Sequence, residues 1–212
     1  KGIRLTGGEP TVRAHLPVLV SKLSKLVGPD GPVNLAMTTN GATMRLVADS
    51  LKQAGLKRVN ISLDTLDRTK FHQMTRRDEL NNVLDGIRAA QEVGFDPVKI
   101  NAVIERGTND DELIDLATFG REQNVEVRFI EFMPLDAEGH WMNGKVVGQE
   151  EIVEKINAVY PVEVLPARGA APADRFRFLD GGLHGEGSPG SMIGVIPTIT
   201  KPFCGDCDRV RL

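Results

Sequence analysis

Residues 58–65 read RVNISLDT, and the alternation in this stretch governs the reading of the whole chain. Side chains on a β-strand point to opposite faces with period two. Val59, Ile61 and Leu63 therefore share one face, while Asn60, Ser62 and Asp64 share the other. A parallel sheet covered on both faces reads as a nearly continuous apolar run. An ordinary closed βα barrel likewise fills its interior with branched apolar side chains. This strand does neither. The pattern recurs in Ile3 and Leu5 against Arg4 and Thr6, in Val98, Ile100 and Ala102 against Lys99 and Asn101, and in Val127 and Phe129 against Arg128. The apolar face is expected to meet helices. A polar face buried without partners is costly, so that face is expected to line a ligand cavity.

Strand-like runs at 3–7, 34–40, 58–65, 98–105 and 127–133 alternate with helical periodicity over 12–26, 44–54, 80–93 and 110–123. Gly55 and Gly94 read as helix C-terminal stops, and Asn109 with Glu112 as a capping box. Such repeated βα units predict a parallel sheet, open or curled into a barrel. A further helix is expected over 149–158. It is followed by β-type segments at 162–166, 175–180 and 191–200, and 137–145 reads as a loop. The expected architecture is α/β, a partial (βα) barrel over 1–135, a loop over 136–148, and a C-terminal β-rich segment over 149–212 covering the open side.

Composition narrows the function classes. Across 212 residues the hydrophobic content is 41%, enough for a substantial core, and the formal net charge is −3. There is no broad basic footprint for nucleic acid, and no run has the length of a membrane span. The first residue is not Met and the sequence ends at CDRVRL, so both ends read as cuts. Arg4, Lys99 and Arg128 nonetheless all fall on strands, and such cations suit a multiply charged anion such as a polyphosphate.

Two short motifs carry chemistry. In IRLTGGEPT (3–11), adjacent glycines leave main-chain N–H and C=O groups open to close approach by a small molecule. Glu9 adds an acceptor for a cation, and Pro10 suits the first turn of a helix. Cys204 and Cys207 form a CxxC pair and are the only cysteines in the sequence, which argues against a disulfide framework and for a reducing compartment. A thioredoxin-type site lacks its βαβ context here. A zinc half-site needs a second ligand pair, and none of His15, His72, His140 and His184 has matching spacing. An iron–sulfur cluster needs further ligands as well. On spacing alone zinc and iron–sulfur stay open.

LTGGEP, TTNG (38–41), NISLDTLD (60–67), VKIN (98–101), RFIEFMP (128–134) and FCGDCDRVRL (203–212) occur in an order that resembles the GTP 3′,8-cyclases. These are radical S-adenosylmethionine (SAM) enzymes that begin molybdenum cofactor biosynthesis. The resemblance implies a radical SAM lyase that converts GTP to (8S)-3′,8-cyclo-7,8-dihydroguanosine 5′-triphosphate through a 5′-deoxyadenosyl radical. By that matching Gly8, Glu9, Ser62 and Met133 contact SAM. Arg4, Thr38, Lys99, Arg128, Arg209, Val210 and Arg211 surround GTP, and Cys204 and Cys207 ligate the second of two [4Fe–4S] clusters. The implied partners are an electron donor, a second copy in a homodimer, and cyclic pyranopterin monophosphate synthase downstream. Neither nucleic acid nor a membrane is implied. The implied location is cytoplasmic in a bacterium or the mitochondrial matrix in a eukaryote.

Three departures accompany the resemblance. The CxxxCxxC motif of the first cluster and the third ligand of the second are not in this sequence, so this segment alone is expected to be inactive. Asp208 also stands where the family usually has Asn, and its carboxylate disfavours nearby anions. The alternatives are another radical SAM enzyme with an auxiliary cluster, such as a peptide-modifying one, and a non-catalytic nucleotide-binding scaffold.

Overall fold

The central strands form where the alternation places them. The computed structural model describes residues 2–133, 143–167 and 171–202. Within them the elements run β1 (Gly2–Leu5), α1 (Leu16–Leu23), β2 (Val27–Gly28), β3 (Gly31–Pro32), β4 (Asn34–Thr39), α2 (Met44–Gln53), β5 (Arg58–Ser62) and α3 (Arg68–Thr75). They continue with α4 (Leu80–Glu92), β6 (Val98–Ile104), α5 (Leu113–Glu122), β7 (Glu126–Glu131), α6 (Gln149–Val159), β8 (Val162–Val164), β9 (Asp174–Phe178) and β10 (Met192–Ile196). The fold is α/β with mostly parallel central strands. The chain divides into one unit of Lys1–Leu63 with Phe71–Ile100 and another of Asp64–Lys70 with Asn101–Leu212.

In the first unit β1, β4 and β5 pair in parallel, with Arg4 opposite Ala36 and Thr38 opposite Asn60. Leu35, Met37, Val59 and Ile61 are buried, as are Met44, Ala48 and Leu51 on α2 and Val83, Ile87 and Ala90 on α4. The close approach of α4 depends on Gly86, where a Cβ would stand 2.3 Å from the Gly41 carbonyl oxygen. Both expected helix stops are present. The Gly55 N–H donates to Lys52 O and Leu56 N–H to Leu51 O, while Gly94 N–H donates to Gln91 O and Phe95 N–H to Ala90 O. Each pair forms a Schellman ending, with its glycine at positive φ.

In the second unit β10 pairs parallel with β7, then antiparallel with β9, and β9 antiparallel with β8. The β-type segments of the C-terminal region thus continue the sheet from β7. Leu113, Leu116 and Ala117 of α5, Ile152 and Ile156 of α6, and Val127, Phe129, Ile193 and Val195 are buried. Arg121 is also buried. Its guanidinium lies 4.4 Å from the Tyr160 ring centroid and 4.5 Å from that of Phe178, and it binds Asp180 through two nitrogens.

Three expectations need correction. The helix expected from residue 12 begins only at Leu16, after a 3₁₀ turn at Pro10–Val12 and a left-handed His15. Pro17 explains the late start, because its ring would clash with the carbonyl four residues upstream in a longer helix. The Asn109–Glu112 capping box does not form. Asn109 instead accepts from Glu105 N–H and donates to the Asp64 and Val103 carbonyls, while Glu112 accepts from Thr65 and Leu66. Both side chains are buried, and burial demands partners that a solvent-exposed cap does not need. Arg4, expected in the interior, is exposed, because among the described residues β1 ends the strand order and pairs with β4 alone. The short helix α3 and the β2–β3 hairpin had no expectation.

Candidate functional site

The GGEP turn follows β1 and is held in place by its own glutamate. Glu9 Oε1 accepts from Thr11 N–H at 3.0 Å, from the Thr11 hydroxyl at 2.7 Å and from the Thr39 hydroxyl at 2.6 Å. Its Oε2 accepts from Asn40 N–H at 2.6 Å. Thr43 donates to the Thr11 hydroxyl at 2.7 Å, extending the network to the start of α2. Glu9, expected to offer its carboxylate to a cation, thus also fastens the turn to the end of β4, with three donors on Oε1 and one on Oε2.

What the turn presents outward is main chain. Gly7 has φ +133, and among the described residues no heavy atom lies within 4 Å of a Cβ built on Gly7 or Gly8. That open space belongs to a cavity of about 380 Å³ lined by Thr6, Gly7, Gly8 and Glu9, by Thr38, Thr39 and Asn40 at the end of β4, and by Ser62 at the end of β5. A volume in this range holds an ordinary small-molecule ligand. Hydroxyl-bearing Thr6, Thr38 and Ser62 and the glycines of the turn line it, a lining suited to the amino, carboxylate and hydroxyl groups of a molecule such as SAM. Ligands of parallel α/β sheets bind at the carboxyl ends of the strands, and this cavity occupies the carboxyl ends of β1, β4 and β5.

Among the expected SAM residues, Gly8, Glu9 and Ser62 are brought together around this cavity. Met133 lies in the second unit, two residues beyond β7, and is 44% exposed. Among the expected GTP residues, Thr38 lines the same cavity, and Arg4 Nη1 donates to its hydroxyl at 3.2 Å. Lys99 on β6 is buried. Arg128 on β7 gives its Nε to Glu126 Oε1 at 2.8 Å, so this cation carries a carboxylate partner that the sequence reading had not assigned. Cys204, Cys207, Arg209, Val210 and Arg211 lie outside the described residues. Among the described residues no group of three His, Cys, Asp or Glu side chains is arranged to hold a metal ion.

Sequence reasoning missed Thr39 and Asn40, although TTNG was noted as a motif. Strand parity turns Thr39 away from Thr38, so only the pairing of β1 with β4 shows that its hydroxyl reaches Glu9. It also missed the ties on the segment that follows Ser62. The Asp64 carboxylate accepts from Val103 N–H at 2.7 Å, and burial raises its pKa above the usual carboxylate value.

Comparison with known proteins adds to this geometry. A family model described as the radical SAM superfamily matches residues 1–120, more than half of the chain. This chain belongs to the radical SAM superfamily. The cavity at the GGEP turn lies wholly within the matched part of this radical SAM chain. A second model, Molybdenum Cofactor Synthesis C, matches residues 125–212. The GTP 3′,8-cyclase of Acidothermus cellulolyticus is 47% identical over 212 residues, covering 99% of this chain and 56% of that protein. The GTP 3′,8-cyclase of Rhodopirellula baltica is 42% identical, covering 100% of this chain and 57% of that protein. The GTP 3′,8-cyclase of Moorella thermoacetica is 44% identical, covering 99% of this chain and 62% of that protein. The chain thus spans somewhat over half the length of the curated relatives it matches.

Solved structures agree on the fold. A structure of TYW1 with a lysine-pyruvate adduct bound superposes with TM-score 0.57 at 16% identity, covering 79% of this chain and 53% of that chain. A domain of pyruvate-formate lyase-activating enzyme from Bacteroides vulgatus gives TM-score 0.54 at 19% identity, covering 74% of this chain and 91% of that chain. No helix among the described residues is long and apolar enough to cross a membrane.

Proposed function

We propose that this chain is the substrate-holding part of a GTP 3′,8-cyclase, which converts GTP to (8S)-3′,8-cyclo-7,8-dihydroguanosine 5′-triphosphate in the first step of molybdenum cofactor biosynthesis. One observation carries the reading beyond sequence similarity. The open main chain at Gly8 and the Ser62 hydroxyl, expected to meet SAM, share one cavity with Thr38, expected to meet GTP. A reaction between two bound molecules gains rate from holding them in register, and a shared cavity wall serves that.

In this reading Gly8 and Ser62 take the methionine and ribose portions of SAM, Glu9 fixes the turn that Gly8 belongs to, and Met133 adds an apolar contact. Arg4, Thr38, Lys99 and Arg128 take the GTP phosphates and sugar, and Arg209, Val210 and Arg211 take the guanine with a cluster on Cys204 and Cys207. SAM and two [4Fe–4S] clusters supply the radical chemistry when bound, with an outside electron donor. The chain's own residues bind, orient and exclude water. The same proposal assigns 1–135 to the barrel core, 136–148 to a connecting loop and 149–212 to the cluster-bearing segment. It includes a homodimer, a cytoplasmic setting, and cyclic pyranopterin monophosphate synthase as the enzyme that takes the product.

The test uses the full-length protein, reconstituted anaerobically with iron and sulfide and supplied with SAM, reductant and GTP. Formation of 5′-deoxyadenosine together with cyclised GTP is expected. Cys204→Ala should lose about one cubane's worth of iron, retain SAM cleavage and lose cyclisation. Stoichiometric zinc at the CxxC pair, or undiminished cyclisation in Cys204→Ala, refutes the proposal.

A further inference from the structure

Glu131 ends β7 inside the RFIEFMP stretch, and neither the SAM nor the GTP assignment uses it. It is 1% exposed, yet its carboxylate is surrounded by donors from two distant segments. Oε1 accepts from Gln149 N–H, the first residue of α6, at 2.8 Å, and from the Thr200 hydroxyl. Oε2 accepts from Ile199 N–H and Thr200 N–H, each at 2.8 Å. The Glu131 main-chain carbonyl accepts from the Thr198 hydroxyl at 2.8 Å. One residue thus holds all three positions 198–200 and the start of α6. The joint is closely packed, since a Cβ on Gly148 would stand 3.1 Å from Thr200 Cγ2. Lys201 continues the tie by donating to Asp174 Oδ2 at 3.2 Å.

The place of this joint in the sequence gives it a role. Thr200 precedes Cys204 by four residues, and a fully extended chain of that length spans at most about 14 Å. Glu131 itself lies between Arg128, expected at GTP, and Met133, expected at SAM. We propose that Glu131 is a positioning residue, which fixes the point from which the CxxC segment leaves the fold and so sets the second cluster against the bound GTP. This inference rests on the cyclase reading for its functional consequence and on the hydrogen bonds above for its mechanics. A carboxylate suits the task because it only accepts, and every group aimed at it here is a donor. The start of α6 also favours a negative charge beside it.

The test uses full-length protein carrying Glu131→Gln or, separately, Thr200→Val. An amide replaces one acceptor oxygen with a donor, so at least one of the N–H groups of Gln149, Ile199 and Thr200 loses its partner. Thr200→Val removes the hydroxyl bond alone. Three readouts are compared with the parent: amide hydrogen exchange at these positions in the cluster-free protein, the electron paramagnetic resonance spectrum of the second cluster with and without GTP, and the ratio of cyclised GTP to 5′-deoxyadenosine. Glu131→Gln is expected to speed exchange and to lower that ratio by about tenfold, the size of effect for one lost bond to a charged group. Its iron content should be unchanged. Thr200→Val should move the same readouts in the same direction by less.

Exchange as slow as in the parent overturns the tether. Equal losses of both products with a lowered Tm overturn the positioning role and leave a structural one. If the parent makes no cyclised GTP, the cyclase reading has failed, and exchange with the cluster spectrum still decides on Glu131. Faster exchange with an altered spectrum then supports the tether, and an unaltered spectrum rejects it.

Discussion

Gly8→Val separates ligand binding from folding more cleanly than any other change in the GGEP turn. Among the described residues a Cβ at Gly8 meets no heavy atom within 4 Å, and Gly8 is not among the positive-φ glycines. The folded protein therefore has room for the new side chain without backbone strain. Gly7 is a poor choice, because its φ of +133 penalises any side chain whatever the space. The stability cost at Gly8 should stay within about 0.5 kcal/mol, and restricting the unfolded chain works in the opposite direction. The new methyl groups instead enter the cavity of about 380 Å³ where SAM is expected against the main chain. Forcing extra carbons into an occupied space costs roughly 1–3 kcal/mol, or about 5- to 150-fold in Kd. Calorimetric titration of the reconstituted full-length protein with SAM measures the loss, and a thermal melt measures stability. An unchanged SAM Kd would remove this turn from the SAM site. A large fall in Tm would show that the open space at Gly8 belongs to the fold and not to a ligand.

Two other substitutions test the frame that carries the site. Gly86→Ala places a Cβ 2.3 Å from Gly41 O and 3.0 Å from Met44 Cβ, so α2 and α4 must separate. The expected loss is about 1–3 kcal/mol, seen as a Tm fall of roughly 2–4 °C per kcal/mol; an unchanged melt would contradict the packing. Arg121 holds the Asp180 carboxyl down at about 2, against an ordinary 3.8. A depressed carboxylate contributes stability that is present above its unfolded pKa and lost as pH falls through its folded one. The contribution of this pair should therefore disappear between about pH 4 and pH 2. Asp180 is 57% exposed, so its contribution is at most about 1 kcal/mol. Asp180→Asn should flatten that part of the stability–pH curve, and an unaltered curve in urea titrations at stepped pH would refute the assignment.

The sequence by itself determined the alternation of the main parallel strands with α2, α4 and α5, and the polarity of each of those strands' faces, though not the β2–β3 hairpin or α3. Period-two alternation is a local property of extended backbone, so Val59, Ile61 and Leu63 could be placed in the core before any contact was known. Gly55 and Gly94 were legible for the same reason, since a Schellman ending involves only residues within one turn of the helix end. The motif order was equally legible, and with it the expected SAM and GTP residues. Only the tertiary structure decided what the charged side chains do. Glu9 reads as a free acceptor until register brings Thr39 and Asn40, thirty residues on, against it. Asn109 and Glu112 have the spacing of a cap, yet burial gives them partners at Asp64, Thr65 and Leu66. Glu131 shows nothing in RFIEFMP that foretells Ile199 and Thr200. A buried carboxylate must be satisfied by whichever donors the folded chain brings to it, and those donors are remote in sequence, where no local pattern records them.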